Sequence, residues 1–220
     1  MAEIEDRKTR WVKQWDRPED APFHWKSKEP HHALRDLLPG LDVPAGAALD
    51  LGCGDGIAAR HLADRFTPSV GIDFAPGAIV QAVADAASEG SPAIFAVGDV
   101  TKPPFPDGSF TFLFDRGCFH TLPPPLRKPF FDAMELLLAP GGYFYLMASR
   151  EFLHKATSRR GLRQRINRTL RPGRKLRWPQ EDEIRRLTPT SFEIVSFDRE
   201  KYYNPLGTVM FNRFLFRKRT

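Results

Sequence analysis

Apolar and polar positions along the chain alternate between two rhythms. Ala47 to Leu51 is a short apolar run of the kind a buried strand makes, Ile57 to Phe66 spaces Ile57, His61, Leu62 and Phe66 at helical intervals, and Val70 to Ile72 is apolar again and ends in Asp73. The alternation continues. Pro76 to Ala87 is Ala-rich with Pro in its first turn, which suits a helix. Ala93 to Val97 and Phe110 to Phe114 read as strands, Leu126 to Leu138 as a helix and Gly142 to Ala148 as a fifth strand. Such a rhythm predicts a mostly parallel sheet with helices on both faces. The ending differs: Phe192 to Phe197 and Val209 to Phe216 are apolar strand patterns separated only by the turn-like Asn204, Pro205, Leu206 and Gly207, which predicts a terminal antiparallel pair.

Length and charge refine this picture. A chain of 220 residues fits one domain with a sizeable core. Within it the pattern marks an N-terminal helical cap over 1–45, a core over 46–150, a basic arm or lid over 151–190 and a terminal β-hairpin over 191–220. The net charge of +6 is local to the arm. Residues 151–177 hold ten Lys and Arg, from Lys155 to Arg177, against the single acid Glu151. An arm of that kind can track a phosphate backbone, draw in an anionic small molecule or serve as a solvated lid. No recognisable nucleic-acid module accompanies it, so nucleic acid is the weaker reading and a small-molecule acceptor the stronger.

Cys53 and Cys118 lie far apart with no metal-ligand spacing around them, which predicts no metal site and small packed thiols in a reducing, cytoplasmic setting. The charged start, Met1 to Arg10, is no secretory leader, and no run reaches membrane-spanning length. Neither a membrane nor an obligate protein partner is expected.

The chemistry concentrates in Leu49-Asp50-Leu51-Gly52-Cys53-Gly54-Asp55-Gly56, a strand running into a glycine turn that opens a helix. Alternating glycines let backbone approach a ligand closely. Gly54-x-Gly56-x-x-Ala59 also fits the dinucleotide fingerprint, and Asp73, placed to accept two ribose hydroxyls, is shared with such sites. Asp50 and Asp99 discriminate. Asp50 puts negative charge beside the turn, which repels a pyrophosphate and suits a ligand carrying an ammonium and a sulfonium. Asp99, in Val97-Gly98-Asp99-Val100, can accept from an adenine amine while the Val100 N–H faces the ring.

Ala48 to Gly56, Gly71-Ile72-Asp73-Phe74, Phe95 to Val100 and Leu138-Ala139-Pro140-Gly141-Gly142 resemble the sequential motifs of the class I S-adenosylmethionine-dependent methyltransferases. The resemblance implies a Rossmann-like α/β fold: seven strands, mostly parallel with a C-terminal antiparallel strand, and helices on both faces. It implies S-adenosylmethionine as cofactor, with Asp73 on the ribose, Asp99 and Val100 on the adenine, Phe74 on the purine, and Asp50, Gly52, Cys53, Gly54, Gly56, Gly98 and Asp115 around it.

Beyond the fourth strand, Asp115-Arg116-Gly117-Cys118-Phe119-His120-Thr121 lies where an acceptor meets the methyl group. Arg116 and His120 are the catalytic candidates: a local positive charge favours a thiolate, whereas an alcohol or phenol needs a base such as His120 or His24. Trp11-x-x-x-Trp15, Phe23-His24-Trp25 and Asp115-Arg116-Gly117 are also similar to the thiopurine and halide/thiol methyltransferase branch. That similarity implies a segment folding over the site, with Trp15 and Trp25 against the cofactor and Phe23, His24, Phe119 and His120 toward the acceptor. A soft sulfur nucleophile leads as acceptor. O- or N-methylation, RNA methylation and non-catalytic cofactor binding stand as alternatives.

Overall fold

The computed structural model describes residues 9, 11–15, 29–154, 178–204 and 207–220. Strands β1 (Ala47–Leu51), β2 (Ser69–Asp73), β3 (Ile94–Val97), β4 (Phe110–Arg116), β5 (Leu138–His154), β6 (Phe192–Asn204) and β7 (Gly207–Lys218) form a single sheet in the order β3-β2-β1-β4-β5-β7-β6. β1 pairs in parallel with β2 and β4, β2 with β3, and β4 with β5, whereas β7 runs antiparallel to both β5 and β6. Around it lie helices α1 (His32–Leu37), α2 (Ile57–Leu62), α3 (Pro76–Glu89), α4 (Pro124–Leu137) and α5 (Glu181–Leu187).

The central strands are buried on both faces, so they read as unbroken apolar runs. On one face α4 lays Phe130, Phe131, Met134 and Leu137 against Phe144, Phe214 and Phe216, and Ile184 of α5 joins this layer. On the other, Leu34 of α1 and Leu62 of α2 pack with Phe112, Phe114, Tyr145, Met147, Phe211 and Leu215. Pro76 opens α3 at a position whose N–H would be orphaned anyway, and left-handed Gly90 closes it.

Several boundaries differ from those the sequence predicts. The fifth strand runs on to His154, and α5 occupies 181–187, so the arm assigned to 151–190 contains a strand end and a helix. Residues 155–177, where all ten cations of the arm lie, fall outside the described residues. The terminal strands are also longer, β6 continuing to Asn204 through the charged stretch Asp198 to Lys201. No helix among the described residues is long and apolar enough to cross a membrane.

Candidate cofactor and acceptor site

The glycine turn leaves the carboxyl end of β1 beside that of β2. Gly52 and Cys53 donate their N–H groups to the Ile72 carbonyl at 2.8 and 3.0 Å, and Gly54 donates to Asp73 Oδ2 at 3.1 Å. Asp73 Oδ1 accepts from Ala75 N at 2.9 Å, so one carboxylate clamps both loops. Gly52 and Gly56 adopt left-handed φ of 67° and 75°. A Cβ would lie 2.6 Å from that of Cys118 at Gly52, and 2.4 Å from the Phe95 ring at Gly56. Only glycine meets both demands.

Asp50 and Asp73 are buried. Asp50 Oδ2 accepts from Ala59 N at 3.2 Å, yet burial, and then the neighbouring Asp115 on β4, push the Asp50 carboxyl up to about 8. Asp73 is likewise raised, by burial against the opposing pull of its backbone donors. A cation beside these carboxyls favours their ionised forms, which suits a ligand carrying an ammonium and a sulfonium. Asp99 is oriented by Thr101, whose N–H and hydroxyl donate to Oδ1 at 2.9 and 2.7 Å. The Gly98 N–H ties that loop to the Asp73 carbonyl at 2.9 Å, and Phe74 is half-buried beside it. Val100 turns its side chain into the core. The helical turn 11–15 lies over this cradle, with the Trp15 ring against Gly54 and its backbone against Gly77. Phe23, His24 and Trp25 lie outside the described residues.

Two expectations on the acceptor side need correction. Asp115 is fully buried, and its oxygens accept from Cys118 N at 3.0 Å and Phe119 N at 2.8 Å. It shapes the turn after β4 and offers no surface to a cofactor. Phe119 points inward, also fully buried, with ring centroids 5.2 and 5.3 Å from those of Phe130 and Phe131, so it is a core residue and not an acceptor contact. His120, a catalytic candidate, has one ring nitrogen engaged. Its Nδ1 accepts from Ser149 N at 3.1 Å, which puts the proton of the neutral ring on Nε2, and burial followed by Arg127 and Arg116 drives its pKa down to about 3. His120 therefore presents an N–H donor at neutral pH. The Arg116 guanidinium lies 6.0 Å from the Tyr202 ring centroid and is most perturbed by burial, opposed by Tyr202 and Glu200. Both thiols are pushed well above their ordinary range by burial and nearby acids, so neither Cys53 nor Cys118 is a thiolate.

The structure adds residues with no local sequence signal. Arg127 of α4, 2% exposed, donates through Nη1 to both oxygens of Glu183 at 2.8 and 2.9 Å and through Nε to the Leu122 carbonyl at 3.2 Å. It thereby braces the turn that carries His120. A Glu183→Gln substitution is expected to cost about 2 kcal/mol, the scale of a charge-assisted hydrogen bond, and to lower Tm by roughly 4–8 °C in a thermal scan. An unchanged Tm would mean that the pair does not hold α5 to α4. His31 precedes α1, accepts from Ala33 N at 3.2 Å through Nδ1, and sits 5.4 Å from Tyr202, ring to ring.

Family comparison bears on the same loops. Residues 48–142, which carry the glycine turn and the acids, match the model of a methyltransferase domain family. This span is similar to a methyltransferase domain. S-adenosylmethionine, the cofactor expected from the sequence, carries an ammonium and a sulfonium whose positive charge suits the buried Asp50 and Asp73. A 2-heptyl-1-hydroxyquinolin-4(1H)-one methyltransferase of Mycobacteroides abscessus is 35% identical over 124 residues, covering 56% of this chain and 54% of that protein. Ajmaline N-methyltransferase of Rauvolfia serpentina is 26% identical over 148 residues, 66% of this chain and 45% of that one. The chain thus spans about half the length of these curated relatives. Among solved structures, one from the conversion of a disulfide bond into a thioacetal group during echinomycin biosynthesis aligns over 98% of this chain and 92% of its own, with TM-score 0.74 and 23% identity. A SAM-dependent methyltransferase of Anabaena variabilis aligns over 96% and 95%, with TM-score 0.71 and 18% identity. Both likenesses establish the fold.

Proposed function

We propose that the protein methylates a small molecule that arrives with its nucleophilic atom already ionised, a thiol or sulfide being the leading acceptor. The carrying observation is the state of His120: with Nδ1 committed to Ser149 N–H, the ring has no lone pair to take a proton. When bound, S-adenosylmethionine supplies a methyl group on a sulfonium that leaves as a neutral thioether. The remaining work is positional, and the protein supplies it by holding the nucleophile in line and excluding water. A thiol with pKa near about 8.5 has an adequate thiolate fraction at neutral pH, and the Arg116 charge raises it. An acidic hydroxyl on a heterocycle is the second reading, supported by the 35% identity to a methyltransferase of a 1-hydroxyquinolone. An ordinary alcohol, which needs a base, fits poorly.

Release of S-adenosylhomocysteine from thiols, sulfide, N-hydroxy heterocycles, phenols, amines and bulk tRNA tests the reading. With a series of thiophenols, the inflection of kcat/KM against pH is expected to follow each acceptor's own pKa, because His120 stays neutral above its pKa of about 3. A fixed inflection shared by all acceptors and abolished in His120→Gln would make the histidine a base and overturn the proposal.

A further inference from the structure

Three buried polar atoms have no hydrogen-bond partner among the described residues: His31 Nε2 and Arg116 Nε beside Tyr202, and Ser149 Oγ on β5. Strand register brings them to one face. Arg116 continues the alternation of Phe112 and Phe114 and aligns with Met147 across β4 and β5, Ser149 lies two residues further along β5, and Ser149 pairs with Phe211 of β7. His31 meets the Phe211 ring edge-on at 6.4 Å and the Tyr202 ring at 5.4 Å, while the Arg116 guanidinium lies 6.0 Å from the Tyr202 centroid. Arg116 stands at the carboxyl end of β4, the edge where an acceptor meets the methyl group in such sheets.

We propose that His31, Arg116 and Ser149 form the subsite that receives the anionic atom of the acceptor, with Tyr202 as the wall for an aromatic ring bearing it. This rests on the reading of the acceptor as an ionised small molecule and names its class: an aromatic thiolate or a heterocyclic oxyanion. The donor inventory carries the argument. His31 Nδ1 accepts from Ala33 N, so its proton lies on Nε2, and that atom is a donor. Arg116 Nε is a donor by constitution, and the Ser149 hydroxyl can be one. Three donors with no hydrogen-bond acceptor among the described residues, beside the Arg116 guanidinium charge, make a cradle that an anion completes. Glu200 does not complete it. Its Oε1 is 3.8 Å from His31 Nε2, beyond hydrogen-bond reach, and the carboxylate is held instead by His32 at 2.8 Å and Arg213 at 3.2 Å.

The trio His31, His32 and Glu200 has the donor types of a divalent-cation site. Binding there needs the His31 Nε2 lone pair, which the Ala33 bond leaves protonated, and Arg116 and Arg213 add positive charge around it. The electrostatics favour an anion.

The test is an absorbance titration of the full chain, saturated with S-adenosylhomocysteine so that no turnover occurs, with 4-nitrothiophenolate and with its neutral methylated counterpart 4-nitrothioanisole. The wild type is expected to bind the anion at least about ten-fold tighter than the thioether. His31→Asn keeps a side-chain oxygen to cap α1 but withdraws the Nε2 donor. It should lower anion affinity about ten-fold, leaving thioether and S-adenosylhomocysteine affinities and Tm as in the wild type. Ser149→Ala, which leaves the cap untouched, should lower anion affinity at least about three-fold. Equal wild-type affinity for the two probes, or full anion affinity in both variants, overturns the subsite. Anion preference in a protein that releases no S-adenosylhomocysteine from any acceptor would remove the methyl-transfer reading and leave the subsite standing; turnover without anion preference would do the reverse.

Discussion

Asp73→Ala is expected to weaken S-adenosylmethionine binding by more than about 100-fold, with the chain still folded. The expectation sums two losses. A carboxylate accepting from two ribose hydroxyls makes charge-assisted hydrogen bonds worth roughly 1.5–3 kcal/mol each, and ten-fold in affinity is about 1.4 kcal/mol. The second loss is architectural, because Asp73 already clamps the glycine turn through Gly54 N and the next loop through Ala75 N. Without it, the turn must be ordered at the expense of binding. Asp73→Asn separates the two: its oxygen serves Ala75 while its NH2 group faces the Gly54 N–H, so it should lose nearly as much as alanine. Calorimetric titration of S-adenosylmethionine into both variants measures this. Binding within about three-fold of the wild type in either would remove Asp73 from the ribose and with it the assignment of the cradle.

The cradle was readable because its cause is local. A doubly buried parallel strand is an apolar run, a turn that needs left-handed backbone and close approach is glycine, and an acid at each strand end marks where the sheet meets its ligand. β6 was less readable past Phe197: from Asp198 to Lys201 it is an edge strand with charged positions, which protects an edge from pairing and looks like a loop in sequence. Phe119 misled for the opposite reason. An aromatic between polar neighbours looks like pocket lining, but the backbone donors of Cys118 and Phe119 fold the turn onto Asp115 and send the ring inward. Arg127 reads as a solvated helix position until Glu183 arrives from 56 residues away. His31 has no sequence signature at all, since Glu200, Tyr202 and Phe211 come to it only through the terminal hairpin.

Asp50 gives cofactor binding a pH dependence of predictable sign. Its carboxyl titrates near 8 in the protein against about 3.8 for an unperturbed aspartate, and Asp115 near 7. Both folded values are raised, so the stability these groups contribute is fully present below about pH 3.8 and is lost as pH rises through 7 to 8. The protein without cofactor holds a proton there that the unfolded chain does not. A cationic ligand reverses the preference: an ammonium beside Asp50 favours the carboxylate, so binding at pH 6.5 is expected to expel close to one proton, and affinity should rise by up to about ten-fold per pH unit toward 8. Above that the ligand's own α-amino group, with a pKa of about 7.7–8.0, loses its charge and the gain stops. Calorimetry in buffers of different ionisation enthalpy reads the proton directly. Asp50→Asn should bind more weakly, expel no proton and show a flat profile between pH 6 and 8. A wild type that expels none at pH 6.5, or a variant that still does, would place the ammonium elsewhere and leave the buried Asp50–Asp115 pair as a purely structural cost on the carboxyl edge of the sheet.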